Sequence, residues 1–323
     1  MPYRNAAPTL SEAISSVLAD PDCGELVAVD DGSDDDGGAL VARAARADPR
    51  VVPVRARGGG VAAALAVGLE HARGHLIGRM DADDVSLPGR LGAARRLLES
   101  RPSLAVAAVQ VEAFPDPKPG LVRYVAWQNA LVSEEEHARD LLVESPVCHP
   151  SVVMRRDALA AVGGYLPSDG PEDYDLWLRL DAAGFGIAKV PEVLFRWRHH
   201  DRRVTFNDPR CSEASILRVR ARALAARLQR RGEPFVVWGA GQTGRRLARE
   251  LEQEGLSPEA FLDIDPRKIG GVARGRPILA KAEALRLGLY VVVAVGARGA
   301  RDIVRAQLWE AGLSDPRDFV CAA

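Results

Sequence analysis

The chain has 323 residues, 47% of them hydrophobic and 27% charged, enough for two soluble globular domains with cores of their own. A net charge of -1 at pH 7 removes any global pull toward nucleic acid. No apolar run approaches the roughly 20 residues that cross a bilayer, and Met1-Pro2-Tyr3-Arg4-Asn5 is unlike a secretory signal.

The elements follow in order. Thr9-Leu10-Ser11-Glu12 has the form of a capping box, and Leu10, Ala13, Ile14, Val17 and Leu18 continue with helical spacing. Leu26 to Val29 is a short buried strand ending at Asp30. Residues 39–47 predict a helix, 51–54 a strand, 61–72 a small-residue helix, 76–80 a strand, 88–100 an amphipathic helix and 104–109 a strand. Strands and helices alternating at these lengths predict a mostly parallel α/β sheet, which binds ligands at the carboxyl ends of its strands. Asp30, Asp31, Asp81 and Asp83 fall at such ends. The proline-rich segment 114–120 is a loop, after which the alternation weakens to about residue 147. The four cysteines (Cys23, Cys148, Cys211 and Cys321) form no C-x-x-C pair, which argues against zinc and a disulfide frame and suits the cytoplasm.

The chemistry concentrates in four patterns. In Asp81-Ala82-Asp83-Asp84, the side chains at i and i+2 of an extended backbone point the same way. Asp81 and Asp83 can therefore share one hard divalent cation, with positions left open for water and phosphate oxygens. Asp30-Asp31-Gly32-Ser33 is an acidic turn whose carboxylates can accept from a uracil N–H or from ribose hydroxyls. Cys148-His149-Pro150-Ser151 precedes Gly163-Gly164-Tyr165. Glu172-Asp173-Tyr174-Asp175 opens a helix, where acidic residues also suit the helix dipole.

These patterns, in this order and at these spacings, resemble the family 2 glycosyltransferases of the GT-A fold over residues 2–200. The resemblance implies an inverting transfer of a sugar from a nucleotide diphosphate, with a UDP-sugar as the default donor, and a requirement for Mn2+ or Mg2+. It implies Asp83 and Asp81 as metal ligands, with His200 as a further candidate beside His149 and His199. Asp173, or Glu172 after it, becomes the base for the acceptor hydroxyl. Pro2, Tyr3, Asp30, Asp31, Arg57, Asp81 and Ala82 become the donor site. Trp177 reads as core, with stacking on an acceptor sugar as the alternative. A glycan or lipid-linked acceptor and a part in surface polysaccharide assembly are implied in the same way. Family members carry an apolar strand ahead of the Pro-Tyr-Arg-Asn segment, and Met1 stands where that strand would end, so the first strand is expected to be truncated.

Two other classes compete. A sugar nucleotidyltransferase wants a Gly-rich, basic loop after its first strand, and residues 2–7 are nothing like it. A non-catalytic binding or scaffold protein is disfavoured by intact Asp81, Asp83 and Asp173.

We expect a glycosyltransferase domain at 1–211, a basic helical linker at 212–232 and a Rossmann-like domain at 233–323. The last rests on the strand 235–238, the Gly239-x-Gly241-x-x-Gly244 turn and Asp263 at the end of the next strand. A nucleotide or nucleotide sugar, NAD, or no ligand at all fits that fingerprint. The arginine-rich linker can lie on an anionic membrane at its inner face, or pack as a solvated structural helix.

Overall fold

The computed structural model describes residues 1–201, 203 and 208–323. They form two compact units, Met1–Ala138 with Pro146–Asp208, and Arg139–Ser145 with Pro209–Ala323.

The first unit opens with β1 (Pro2–Tyr3), α1 (Ala7–Leu18), β2 (Leu26–Asp30), α2 (Gly37–Ala47), β3 (Val51–Arg55) and α3 (Val61–His71). β1, β2 and β3 lie side by side and parallel, with Pro2 opposite Val29 and Leu26 opposite Val51. Side chains of β2 alternate between two apolar layers. Leu26 and Ala28 pack with Leu10, Ala13, Ile14 and Val17 of α1, while Val27 and Val29 pack with Ala64 of α3. With both faces covered, β2 has no polar alternation to show, which is why it reads as an unbroken apolar run.

The capping box does not form. α1 starts at Ala7, two residues before Thr9, with a proline in its first turn. The Ala7 N–H donates to Asp35 Oδ2 at 2.8 Å, and Thr9 Oγ1 donates to the Ala82 carbonyl at 2.9 Å. A remote carboxylate has taken the capping role, and Thr9 is spent on holding the acidic turn.

The unit continues with β4 (Leu76–Gly78), β5 (Val85–Ser86), α4 (Arg90–Ser100), β6 (Leu104–Phe114), α5 (Pro119–Ala130), α6 (Glu134–Asp140), β7 (Val153–Arg155), α7 (Arg156–Ala161), α8 (Glu172–Ala182) and β8 (Gly186–Arg198). The second sheet runs β4-β7-β6-β8-β5, and only β6 and β8 in it are parallel. β4 ends at Gly78, so Arg79 and Met80 leave the ladder and carry the acidic turn outward. The 13-residue β8 is invisible to periodicity because its ladder skips: Val190 faces Val109 and Val193 faces Gln110, with Pro191 and Glu192 bulged between.

The second unit holds α9 (Glu213–Arg231), β9 (Phe235–Trp238), α10 (Gln242–Gln253), β10 (Ala260–Leu262), β11 (Val272–Ala273), β12 (Arg276–Leu279), α11 (Lys281–Arg286), β13 (Tyr290–Val293), α12 (Ala300–Glu310) and β14 (Phe319–Cys321). The sheet order is β11-β12-β10-β9-β13-β14, parallel except for the β11–β12 hairpin. Ser212 caps α9 through the Ser215 N–H, and Gly232 ends it in a left-handed turn. α9 buries Val219, Ala221, Leu224, Ala225 and Leu228 within this unit. Its basic stripe is partly spent there: Arg220 is buried and donates to the Ala322 carbonyl, Arg222 pairs with Glu254, and Arg231 lies over the Tyr290 ring.

The fingerprint glycines have unequal jobs. A Cβ on Gly244 would lie 1.8 Å from the Gly239 carbonyl oxygen, a backbone atom that cannot move aside, whereas above Gly241 the space is open. Gly244→Ala is expected to destabilise the second unit by about 3 kcal/mol. Gly241→Ala, at φ -83° and ψ -169°, should be close to neutral. Denaturation followed through this unit's Trp238 and Trp309 checks the contrast.

Candidate active site

Three segments meet at the carboxyl end of β2. Pro2 and Tyr3 lie on β1, Asp30 closes β2 and Asp31 follows, with the Asp31 N–H donating to the Tyr3 carbonyl at 2.9 Å. Asp31 is 5% exposed; its Oδ2 accepts from the Gly60 N–H at 3.0 Å, and its Oδ1 is buried with no partner. That bond draws the 56–60 loop to the turn, with Arg57 exposed on it. Asp30 Oδ1 accepts from the Ser33 N–H. Asp31 thus keeps a buried acceptor in reserve.

The turn after β4 gathers three carboxylates. Asp81, Asp83 and Asp84 each place an oxygen within 4.8 Å of the others. Ala82, between them, is buried. His200 Nε2 lies 2.8 Å from Asp83 Oδ2. Asp81 lies 2.8 Å from Arg79 and 3.7 Å from Arg203. Burial pushes its carboxyl up, but the two guanidiniums outweigh burial and hold it below the ordinary range. Asp84, 1% exposed, is pushed well above that range by burial; its Oδ1 accepts from the Arg198 N–H at 2.7 Å, while its Oδ2 is buried with no partner. Three hard oxygen donors with one buried oxygen unsatisfied suit Mg2+ or Mn2+.

Buried Arg90 fixes this turn from beneath. It donates to Ser86 Oγ, to the Arg79 carbonyl and to the Pro150 carbonyl, at 2.8, 3.0 and 3.1 Å. It thereby ties the acidic turn to the segment that carries His149.

The acidic pair starts α8. Burial raises Asp173 to about 6, helped by the Glu172 charge beside it and opposed by His149. Burial also pushes Glu172 up, but its bond and charge interaction with His149 prevail and it lies below the ordinary range. His149, expected as a candidate for metal or diphosphate, sits here instead: Nδ1 is 3.7 Å from Glu172, Nε2 is 2.8 Å from the Tyr165 hydroxyl, and the ring meets Trp177 edge-on. Trp177 is fully buried core. Arg79, 4% exposed, links the two acidic groups, touching Asp81 and acting electrostatically on Tyr165, Glu172 and Asp173. Sequence patterning placed Arg79 inside a strand, passed over Arg203 and named Tyr165 within a pattern without a role; a cation within the otherwise apolar run 76–80 was the one available signal for Arg79.

In the second unit, a separate cavity of about 460 Å³ is lined by Gly241, Arg245, Arg246, Arg249, Lys268 and Arg274, among others. Asp263 is engaged there, accepting from the Ala240 N–H and from Lys268 Nζ at 2.9 Å. Gly239 and Gly244 serve backbone packing.

The model of the family Glycosyl transferase family 2 matches residues 1–163, just over half the chain, and the chain belongs to that family. It is 30% identical over 160 residues to the amylovoran biosynthesis glycosyltransferase AmsE of Erwinia amylovora, covering 50% of this chain and 58% of the relative. To the succinoglycan biosynthesis protein ExoU of Rhizobium meliloti it is 41% identical over 92 residues, 28% of this chain and 26% of the relative. The chain spans about half the length of the curated relatives it matches. Among solved structures it is similar to S. aureus TarS 1–349 in complex with UDP, with a TM-score of 0.53 and 15% identity over 78% of this chain and 70% of that one. It is also similar to the mannosyltransferase PcManGT from Pyrobaculum calidifontis in complex with GDP-Man and Mn2+, with a TM-score of 0.50 and 20% identity over 71% and 62%. At such identities the likeness shows the fold, the GT-A architecture expected above. Among the described residues, no helix is long and apolar enough to cross a membrane.

Proposed function

We propose that the first unit transfers a sugar from a nucleotide diphosphate, a UDP-sugar first, to an acceptor hydroxyl with inversion. The observation that carries this reading is the junction at Arg79, which brings the three-carboxylate turn and the Glu172–Asp173 pair into one electrostatic unit. Asp173 takes the proton of the acceptor hydroxyl while that oxygen bonds to the anomeric carbon. The bond from that carbon to the diphosphate oxygen breaks on the opposite face, and its electron pair leaves with the nucleoside diphosphate. Glu172 and His149 position Asp173. Asp83, Asp81 and Asp84 would hold Mn2+ or Mg2+, with His200 beside them, and the ion would supply Lewis-acid stabilisation of the leaving diphosphate. Pro2, Tyr3, Asp30, Asp31 and Arg57 frame the base and ribose end of the donor, where the free Oδ1 of Asp31 accepts a donor hydrogen.

The relatives named for amylovoran and succinoglycan biosynthesis support a glycan acceptor, and we extend the reading to a glycan or lipid-linked acceptor in surface polysaccharide assembly at the inner face of the membrane. Attachment there would run through the acceptor, since several of the α9 arginines are engaged within their own unit. For the second unit we propose a phosphate-bearing ligand at the arginine-lined cavity. Calorimetric titration with UDP and ADP in the Asp83→Ala background tests this, and binding should be lost in Arg245→Glu.

A donor screen decides the main reading. The protein is incubated with Mn2+ and a panel of nucleotide sugars, and release of nucleoside diphosphate is followed. Release from one donor supports transfer; no release from any donor, together with no binding of UDP, would sink it.

A further inference from the structure

Two buried cations grip the chain on either side of His149. Arg90, 1% exposed, holds the Pro150 carbonyl at 3.1 Å. Lys189, 3% exposed, lies on β8 opposite Ala108 of β6 and holds the Pro146 carbonyl at 3.4 Å. Pro146 has no N–H, so its carbonyl is the one backbone group by which that residue can be held. The same ammonium donates to the Gln128 carbonyl near the end of α5, and the Lys189 N–H donates to the Val132 carbonyl at 2.9 Å. Residues 128 and 146 are the two ends of the stretch that leaves α5 and returns with Cys148 and His149. One side chain closes that stretch at its neck.

An ammonium has three donors and no acceptor, and taking it out of water is costly unless a carboxylate pairs with it. Among the described residues, Lys189 meets carbonyl oxygens and no carboxylate. Burial pushes it down to about 7, opposed by Cys148 and by Glu136 of α6; no group of α5 or β6 adds to these. An apolar side chain would fill this place with no charge to desolvate. What the lysine supplies instead is a pair of charge-assisted hydrogen bonds to the two ends of the stretch.

We propose that Lys189 is a positioning residue: together with Arg90 it clamps the backbone before and after His149. The clamp keeps the His149 ring 3.7 Å from Glu172 and 2.8 Å from the Tyr165 hydroxyl and, through Glu172, sets the place of Asp173. This role rests on Asp173 as the base of the proposed transfer. The clamp acts while the lysine is charged, since a neutral amine donates more weakly and loosens its hold on Pro146.

Lys189→Met and Lys189→Arg test it. In Lys189→Met, kcat for nucleoside diphosphate release should fall about 10-fold or more with the donor KM unchanged, because a small misplacement at the chemistry costs up to about 10²-fold. The parent should lose kcat as pH rises through about 7, where the ammonium gives up its proton. Lys189→Arg, which stays charged, should keep most of kcat and lack that alkaline limb. Parental kcat in a folded Lys189→Met, or an alkaline limb that persists in Lys189→Arg, overturns the proposal. The clamp is also read with no donor present. The Ser151 and Val152 amides, which donate to the Cys148 and His149 carbonyls, should lose protection from hydrogen exchange in Lys189→Met while Val237 of β9 keeps its own. Unchanged protection at Ser151 and Val152 overturns the clamp; lost protection in a protein whose parent releases no nucleoside diphosphate supports the clamp and counts against the transfer reading.

Discussion

Asp83→Ala is expected to lower nucleoside diphosphate release by about 10²–10³-fold, the usual loss when charge stabilisation at a leaving group is removed. The fold should survive. The Asp83 side chain is 25% exposed and its carboxylate meets His200, while the Asp83 carbonyl, which accepts from Arg198 Nε at 2.6 Å, is untouched by the substitution. Stability should therefore stay within about 0.5 kcal/mol of the parent. Asp84→Ala makes the contrast: that carboxylate is buried and accepts from the Arg198 N–H, so its loss should lower stability and activity together. Steady-state release with Mn2+, run beside thermal unfolding, separates the two. Parental activity in Asp83→Ala would remove the acidic turn from the reaction.

Asp173→Asn should cost about 10³-fold or more in kcat, since a general base contributes about 10²–10⁴-fold. The parent should also show an acid limb. Asp173 works as the carboxylate, and burial raises it to about 6, so kcat/KM falls as pH drops through that value. Glu172→Gln removes the negative neighbour that helps hold Asp173 up and should move the limb to lower pH. A purely structural Glu172 would leave the limb in place. The same raised value has a stability consequence of fixed sign. Between the unfolded value of 3.8 and about 6 the folded state binds more protons, so stability falls as pH rises through that window. Asp173→Asn should then be more stable than the parent at pH 7, by on the order of 2 kcal/mol. A variant both slower and more stable is the signature of a carboxylate held for chemistry rather than structure.

Most of the strands and helices before Phe114 were legible because burial imposes a period on sequence, though the two-residue β5 was not. β2 is apolar throughout since both its faces are covered, and α1 shows its buried stripe at Leu10, Ala13, Ile14 and Val17. The carboxylates at strand ends were visible as soon as those apolar runs stopped. β8 was not legible, because its bulge at Pro191 and Glu192 interrupts the period and its partner β6 lies more than 70 residues away in the chain. The capping box misled for a related reason. A local pattern cannot show that Asp35, 28 residues on, will take the Ala7 N–H.

Chain order and local composition thus pointed to most of the elements before Phe114 and to where acidic groups cluster, since those depend on short-range burial and spacing. The partners of the acidic groups depended on packing between distant segments. Arg79 meets Asp81 and acts on the α8 carboxylates because β4 pairs with β7. His149 meets Tyr165 and Glu172, and Arg90 ties its segment to the acidic turn. Charges and strand edges act through space, and one-dimensional spacing does not encode which of them come to lie side by side.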